Sequence, residues 1–224
     1  MNSKLMTFLR KTGLKPVLIS VYRSFCRTIR PGKIRRYLTS HETKKLQIGS
    51  GRSALEGWLN TDISPIPGSR GGPVFLDARK RFPFADAVFD YMFCEHMIEH
   101  LEYGQGLEML RECFRVLKPG GKIRVSTPDL RFLVELYGPD KTELQKSYIS
   151  RAVKINLPEI GIDEDVFVIN NFFRAWGHKF IYDFKALKRA LEGAGFSGVA
   201  PQKVGQSSDP NLSALESHGS VIRD

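Results

Sequence analysis

The stretch LQIGSG at residues 46–51 decides the fold, read with the four segments that follow it. These are GWLNTDIS (57–64), VFLDA (74–78), FPFADAVFDYMFCEHMIEHL (82–101) and MLRECFRVLKPGGKIRVSTPDL (109–130). Leu46–Ile48 predicts a short strand, and Gly49-Ser50-Gly51 a sharp turn after it. Glycine serves where the backbone takes unusual dihedrals and lies against a ligand with no side chain between. Two further apolar runs end in the carboxylates of Asp62 and Asp77, and Phe89–Phe93 makes a fourth strand. Leu107, Leu110, Phe114 and Leu117 recur at helical spacing until Pro119-Gly120-Gly121 stops them, and Lys122–Ser126 is a fifth strand. Strands alternating with helical patterns imply a parallel sheet, and its strand ends suit a cofactor that carries a nucleoside. A carboxylate closing the second strand can accept from both ribose hydroxyls.

Competing nucleotide chemistries fit less well. No GxxxxGK[ST] occurs, which disfavours a P-loop. A dinucleotide fold needs a third glycine for helix–strand packing beside the pyrophosphate and ~20 residues before its acidic partner. Here Ser53 stands in the third glycine's place and Asp62 follows closely, so the first helix is a stub over Ser53–Glu56. An NAD-dependent enzyme stays only as an alternative.

The run as a whole resembles the class I S-adenosylmethionine-dependent methyltransferases, of the type 11 kind. The resemblance is carried by PF-x-D-x-x-FD (Pro83, Phe84, Asp86, Phe89, Asp90), by the E-H-x-x-E-H-L segment 95–101 and by L-K-P-G-G…P-D (117–129). It continues through H-x-x-x-Y-D (178–183) and AGF (194–196), and the NLSALESH end (211–218) is similar to relatives associated with glycan assembly. It departs at Gln47, where the family often has an acid, and at Ser53. These departures keep a non-catalytic methyltransferase-like protein as the main alternative.

The resemblance implies an α/β, Rossmann-like, doubly wound sheet of seven mainly parallel strands, with S-adenosyl-L-methionine as cofactor. It places Gly49, Ser50, Gly51, Asp62, Ile63, Asp77, Ala78 and Glu95 around that cofactor, with Asp77 and the Ala78 amide reading the adenine. His178 is the leading acceptor-side base, His96 the second, and Asp129 stands at the mouth of the site. Imidazole is the group best tuned to take a hydroxyl proton near neutral pH. The acceptor is a small molecule or a glycan or lipid-linked intermediate.

His96-Met97-Ile98-Glu99-His100 also fits H-x-x-E-H, with two histidines on one helical face as in zinc hydrolases. The long flanking match to methyltransferases outweighs this short motif, so no metal is expected.

Charge is unevenly spread. The chain has 224 residues and a formal net charge of +10, with 42% hydrophobic and 11% aromatic residues, as in a globular chain. Residues 1–45 hold twelve Lys/Arg against Glu42 alone, whereas the remainder has 22 bases and 23 acids. A nucleic-acid enzyme more often spreads positive charge about its cleft, so nucleic acid is not the expected substrate. Three widely spaced cysteines suggest no disulfide framework, and a cytoplasmic setting is the natural reading. No apolar run is long enough to span a bilayer.

Two units are expected: a basic helical extension (1–44) and a methyltransferase domain (45–224), with an acceptor-side insertion at approximately 137–180. Within the extension, Leu14, Val17, Leu18, Val21, Tyr22, Phe25 and Ile29 form a helical stripe. Arg23, Arg27 and Arg30 occupy other faces, and Pro31-Gly32 ends the run. A helix over 14–30 of this kind either lies on an anionic membrane surface or packs its stripe on the domain.

Overall fold

The computed structural model describes residues 14–64 and 73–217. Residues 1–13 of the expected extension and His218 of the NLSALESH segment lie outside the described residues.

Five strands form one sheet: β1 Lys45–Ile48, β2 Leu59–Asp62, β3 Val74–Phe75, β4 Phe89–Glu95 and β5 Leu117–Ser126. Their order is β3-β2-β1-β4-β5, and every pairing is parallel. The expected seven strands are therefore corrected to five among the described residues. Beyond β5 the chain turns to helices, and among the described residues the only further strand-like contact there is a single bridge, Asp129 to Tyr182. Residues 197–217 then run as irregular chain apart from a 3₁₀ turn at Pro210–Leu212. Side chains take the place of ladder bonds in this segment. Arg124 of β5 donates to the carbonyls of Gln206 (2.8 Å) and Lys203 (3.0 Å) and pairs with Glu216, both ends of that ion pair being buried.

The expected stub helix after the glycine turn is also absent, and irregular chain with two short turns, at 51–52 and 56–57, leads to β2 instead. Its polar groups are met by two amides. Gln47 donates to the Ser53 carbonyl and accepts the Leu55 N–H, while Asn60 donates to the Leu55 and Trp58 carbonyls. An acid at position 47 could accept but not donate, so Gln47 suits this helix-free connection.

Around the sheet lie α1 Leu14–Ser40, α2 Tyr103–Val116, α3 Leu130–Leu136, α4 Glu143–Asn156, α5 Asp165–Arg174 and α6 Phe184–Gly193. The main core joins Leu46, Ile48, Phe89, Met92 and Cys94 of the strands to Met109, Leu110, Cys113 and Val116 of α2. Phe114, expected in that stripe, is instead about half exposed and stacks edge-on against Phe196. A second cluster (Leu136, Ile149, Val153, Val168) holds α3, α4 and α5 together.

α1 corrects one expectation. It runs through Pro31 and Gly32 to Ser40 rather than stopping there. Proline removes one helical donor, and tertiary packing on both sides of it offsets the loss. Cys26, Ile34 and Tyr37 are buried, and the Tyr37 hydroxyl lies 2.9 Å from the Lys45 carbonyl and 3.0 Å from that of Gly57. Cations form part of the face that the helix turns to the domain. Arg27 lies over the Phe75 ring at 5.0 Å and Arg23 reaches the Ser64 hydroxyl at 3.4 Å. Meanwhile Val17, Val21 and Phe25 remain 58%, 62% and 57% exposed.

Candidate cofactor and acceptor site

The sheet order reverses between β1 and β4, and open parallel sheets receive ligands outside the strand ends at such a point. Two segments meet there. One is the turn Gly49-Ser50-Gly51 after β1, and the other is Glu95-His96-Met97 after β4.

The turn is built by backbone geometry. Gly49 and Gly51 have φ of 70° and 52°, in the left-handed region that glycine takes without strain. The Ser50 N–H donates to the Thr61 carbonyl, and the Gly51 N–H to Asp62 Oδ2 at 3.0 Å. Asp62 Oδ1 accepts the Ser64 N–H at 2.6 Å. The structure thus brings Gly49, Ser50, Gly51 and Asp62 together, with half-buried Ile63 beside them.

Two features test whether an adenosyl group fits this turn. The Ser50 hydroxyl is buried and has no hydrogen-bond partner among the described residues, an arrangement that costs about 1–3 kcal/mol unless a ligand answers it. A β-carbon on Gly51 would meet nothing within 4 Å, so the turn borders open space. Both fit a polar ligand lying along 49–51. Asp77 is placed differently. Arg79 Nε and Nη2 clamp its carboxylate at 2.8 and 2.9 Å. That hydrogen bond, against the effect of burial, holds the Asp77 carboxyl below its usual range. The Asp77 carboxylate is therefore shared with the half-exposed Arg79, with which an adenine would compete for it.

At the end of β4, Glu95 is buried and its carboxylate receives the Ser217 N–H (3.0 and 3.1 Å) and hydroxyl (2.8 Å). The chain end thus reaches the expected cofactor residue from 122 positions away, a contact with no signal in the local sequence. His96 follows with φ 46°, unusual for a non-glycine residue, and its N–H donates to the Ser126 carbonyl. Such strain clusters at functional sites. His96 Nδ1 lies 3.0 Å from Glu99 Oε1, and Glu99 Oε2 accepts the Thr127 hydroxyl at 3.1 Å. Burial disfavours charge on His96, but the Glu99 hydrogen bond and the charges of Glu99 and Glu95 outweigh it and raise its pKa.

His178 and Asp129 are the other two expected catalytic residues, and a ring nitrogen of His178 lies within 4.8 Å of a Glu99 carboxylate oxygen. His178 Nδ1 donates to the Phe172 carbonyl at 2.7 Å, and burial lowers its pKa despite that bond. Its ring packs edge-on against His100, 4.9 Å between centroids. Exposed Asp129 caps α3, accepting the Arg131 N–H at 2.9 Å. The structure thus gives Asp129 a capping role.

The H-x-x-E-H segment does not place two histidines on one helical face. Only Ile98–His100 is helical, as a single 3₁₀ turn, with His96 outside it. Glu99 sits fully buried as the partner of His96. Sequence reasoning passed over Glu99 as a site residue. Its signal was the paired E-H dipeptides at 95–96 and 99–100.

Comparison with known proteins places residues 69–125 in the methyltransferase domain family. A SAM-dependent methyltransferase from Archaeoglobus fulgidus is 18% identical, with 80% of this chain and 70% of that one covered and a TM-score of 0.46. Phosphoethanolamine N-methyltransferase 2 of Haemonchus contortus, solved with S-adenosyl-L-methionine, is 16% identical over 80% of this chain and 39% of its own, with a TM-score of 0.41. A protein from Pyrococcus horikoshii is 27% identical over 51% and 61%, with a TM-score of 0.35. No curated protein matches the chain at a significant level.

Proposed function

We propose, on the premise that this chain is a class I S-adenosylmethionine-dependent methyltransferase, that it methylates a hydroxyl of a small molecule or of a glycan or lipid-linked intermediate. The observation that carries this reading is the His96–Glu99 pair at the β4 end, across the strand-order reversal from the glycine turn. Bound S-adenosylmethionine supplies a methyl group already activated on a sulfonium.

The protein's share is alignment, exclusion of water and removal of one proton. Ser50, the Gly51 backbone and Asp62 would hold the cofactor beside the turn. Glu95, kept in place by Ser217, lines the same strand end. Glu99 orients His96 through Nδ1, which makes Nε2 the basic nitrogen for the acceptor's hydroxyl proton. A carboxylate behind an imidazole fixes its tautomer and stabilises its protonated form. His96 therefore replaces His178 as the leading base in this reading.

A second observation favours a lipid surface as the setting. Val17, Val21 and Phe25 leave an apolar line on the outside of α1, and exposed Arg36, with Arg35 beside it, continues that side of the helix about three turns beyond Phe25. An apolar stripe beside cations suits an interfacial helix on anionic lipid. Among the described residues no helix is long and apolar enough to cross a membrane.

Calorimetric titration with S-adenosylhomocysteine, beside an Asp62→Ala variant, tests the cofactor reading. Micromolar binding that is lost in the variant supports it and directs a panel of hydroxyl acceptors. Absence of binding by the folded wild-type protein would sink it and leave a non-catalytic relative as the answer.

A further inference from the structure

Glu99, His100 and His178 each offer one ligand atom, and the three atoms lie within 4.8 Å of one another. We infer that these residues form a divalent metal site suited to an ion such as Zn²⁺, which the sequence had not led one to expect. Two imidazoles and a carboxylate with a position left open are a common donor set for such ions.

The site is built rather than incidental. The Glu99 carboxylate is fully buried, and among the described residues its ion-pair partner is the half-exposed His96. His96 and Thr127 take one hydrogen bond on each oxygen, and a carboxylate offers about four lone-pair sites, so each oxygen retains capacity for an ion. His178 comes from a distant part of the chain and is anchored on three sides. The Lys179 and Phe180 N–H groups both donate to the Glu99 carbonyl, at 2.7 and 3.2 Å. Trp176 and Gly177, with φ of 55° and 80°, make the turn that delivers the ring. The Phe172 carbonyl holds Nδ1–H, which leaves Nε2 as the ligand nitrogen. That backbone bond is the usual outer support of a metal-binding histidine. An ion bound here would sit beside the His96–Glu99 pair and could hold an oxygen of the acceptor. This role rests on the proposed methyl transfer, whereas the site itself does not.

The test is titration of chelator-treated full-length protein with Zn²⁺ against a chromophoric chelator, with Co²⁺ substitution followed by visible absorption. The expected result is one ion per chain and a Co²⁺ spectrum in the wild type. Glu99→Gln, His100→Ala and His178→Gln should each weaken binding at least about tenfold, while His41→Ala, on a different face of the molecule, should not. Circular dichroism establishes that each variant folds, and His178→Gln keeps a side chain able to reach the Phe172 carbonyl. Equal binding by the wild type and all three site variants, or none by the wild type, overturns the inference. S-adenosylhomocysteine binding on the same samples separates the two readings. Metal without cofactor binding removes the methyltransferase reading alone, and cofactor without metal removes this one.

Discussion

Gly49 and Met97 close the seam between β1 and β4: a β-carbon on Gly49 would stand 2.8 Å from the Met97 Cβ and closer still to its Cγ. The glycine turn and the His96 segment are thus held against each other by the absence of one side chain. Gly49→Ala adds both this overlap and a left-handed alanine, and should cost about 2–4 kcal/mol. Urea denaturation should show the loss. Met97→Ala in the same chain should restore a small part of it, because the Cγ overlap is removed while the 2.8 Å approach to the remaining Cβ and the strain at φ 70° persist.

His96→Ala should lower methyl transfer by roughly 10²- to 10⁴-fold, the usual scale of a lost general base. Binding of S-adenosylhomocysteine should stay close to wild type, because His96 serves the acceptor. A single-turnover assay beside calorimetry checks both. Equal loss of turnover and of cofactor affinity would reassign the residue.

Arg79 and Asp77 give a pH-dependent prediction. Arg79 lowers the Asp77 pKa below its unfolded value. The pair therefore contributes stability that is present above the usual aspartate pKa of about 3.9 and is lost as pH falls through the lower, folded value. Arg79→Ala should reduce stability at pH 7 by less than about 1 kcal/mol, since the arginine is half exposed. The difference from wild type should vanish in strong acid, which thermal melts from pH 7 down to pH 2 would reveal. If Asp77 meets adenine, the same variant should bind S-adenosylhomocysteine more tightly, having released the carboxylate.

Glu216→Ala leaves Arg124 buried without its carboxylate. Breaking a buried pair from one side costs about 3–5 kcal/mol, and the two backbone carbonyls that Arg124 retains place the expected loss at the lower end. The melting temperature reports this. A chain ending before residue 203 should behave similarly and also release Glu95 from Ser217.

Phe25→Glu tests the outer face of α1. Wild-type protein should float with vesicles containing anionic lipid and remain behind with neutral ones, and the variant should stay behind with both. Flotation unchanged by the substitution would rule out the membrane reading, and a change in oligomeric state instead would identify that face as a contact between copies of the chain.

Much of this protein was legible locally. Turn chemistry at Gly49–Gly51, together with apolar runs closing at Ile48 and Asp62, specified parallel strands in sequence, whereas β5 starts at Leu117 and takes in the expected stop at Pro119–Gly121, and β3 ends at Phe75, short of Asp77. Those signals act over a few residues through backbone dihedrals and burial, so they survive without knowledge of the neighbours. The resemblance in residues 82–130 likewise reached the domain that the family comparison identifies.

Other features depend on groups that are distant in the chain. Whether residues 197–217 form strands turned on Arg124, which satisfies their carbonyls from another element. Which side of α1 faces the domain was decided by the seats of Tyr37, Arg23 and Arg27, since its stripe read equally well as buried or as outward. The meeting of His178 with Glu99 and His100 rests on two amides folding back onto one carbonyl 80 residues earlier. Sequence alone determined where the strands end and thereby where chemistry could sit. Only the tertiary structure decided which side chains face one another there, because long-range hydrogen bonds and packing leave no periodic trace in the chain.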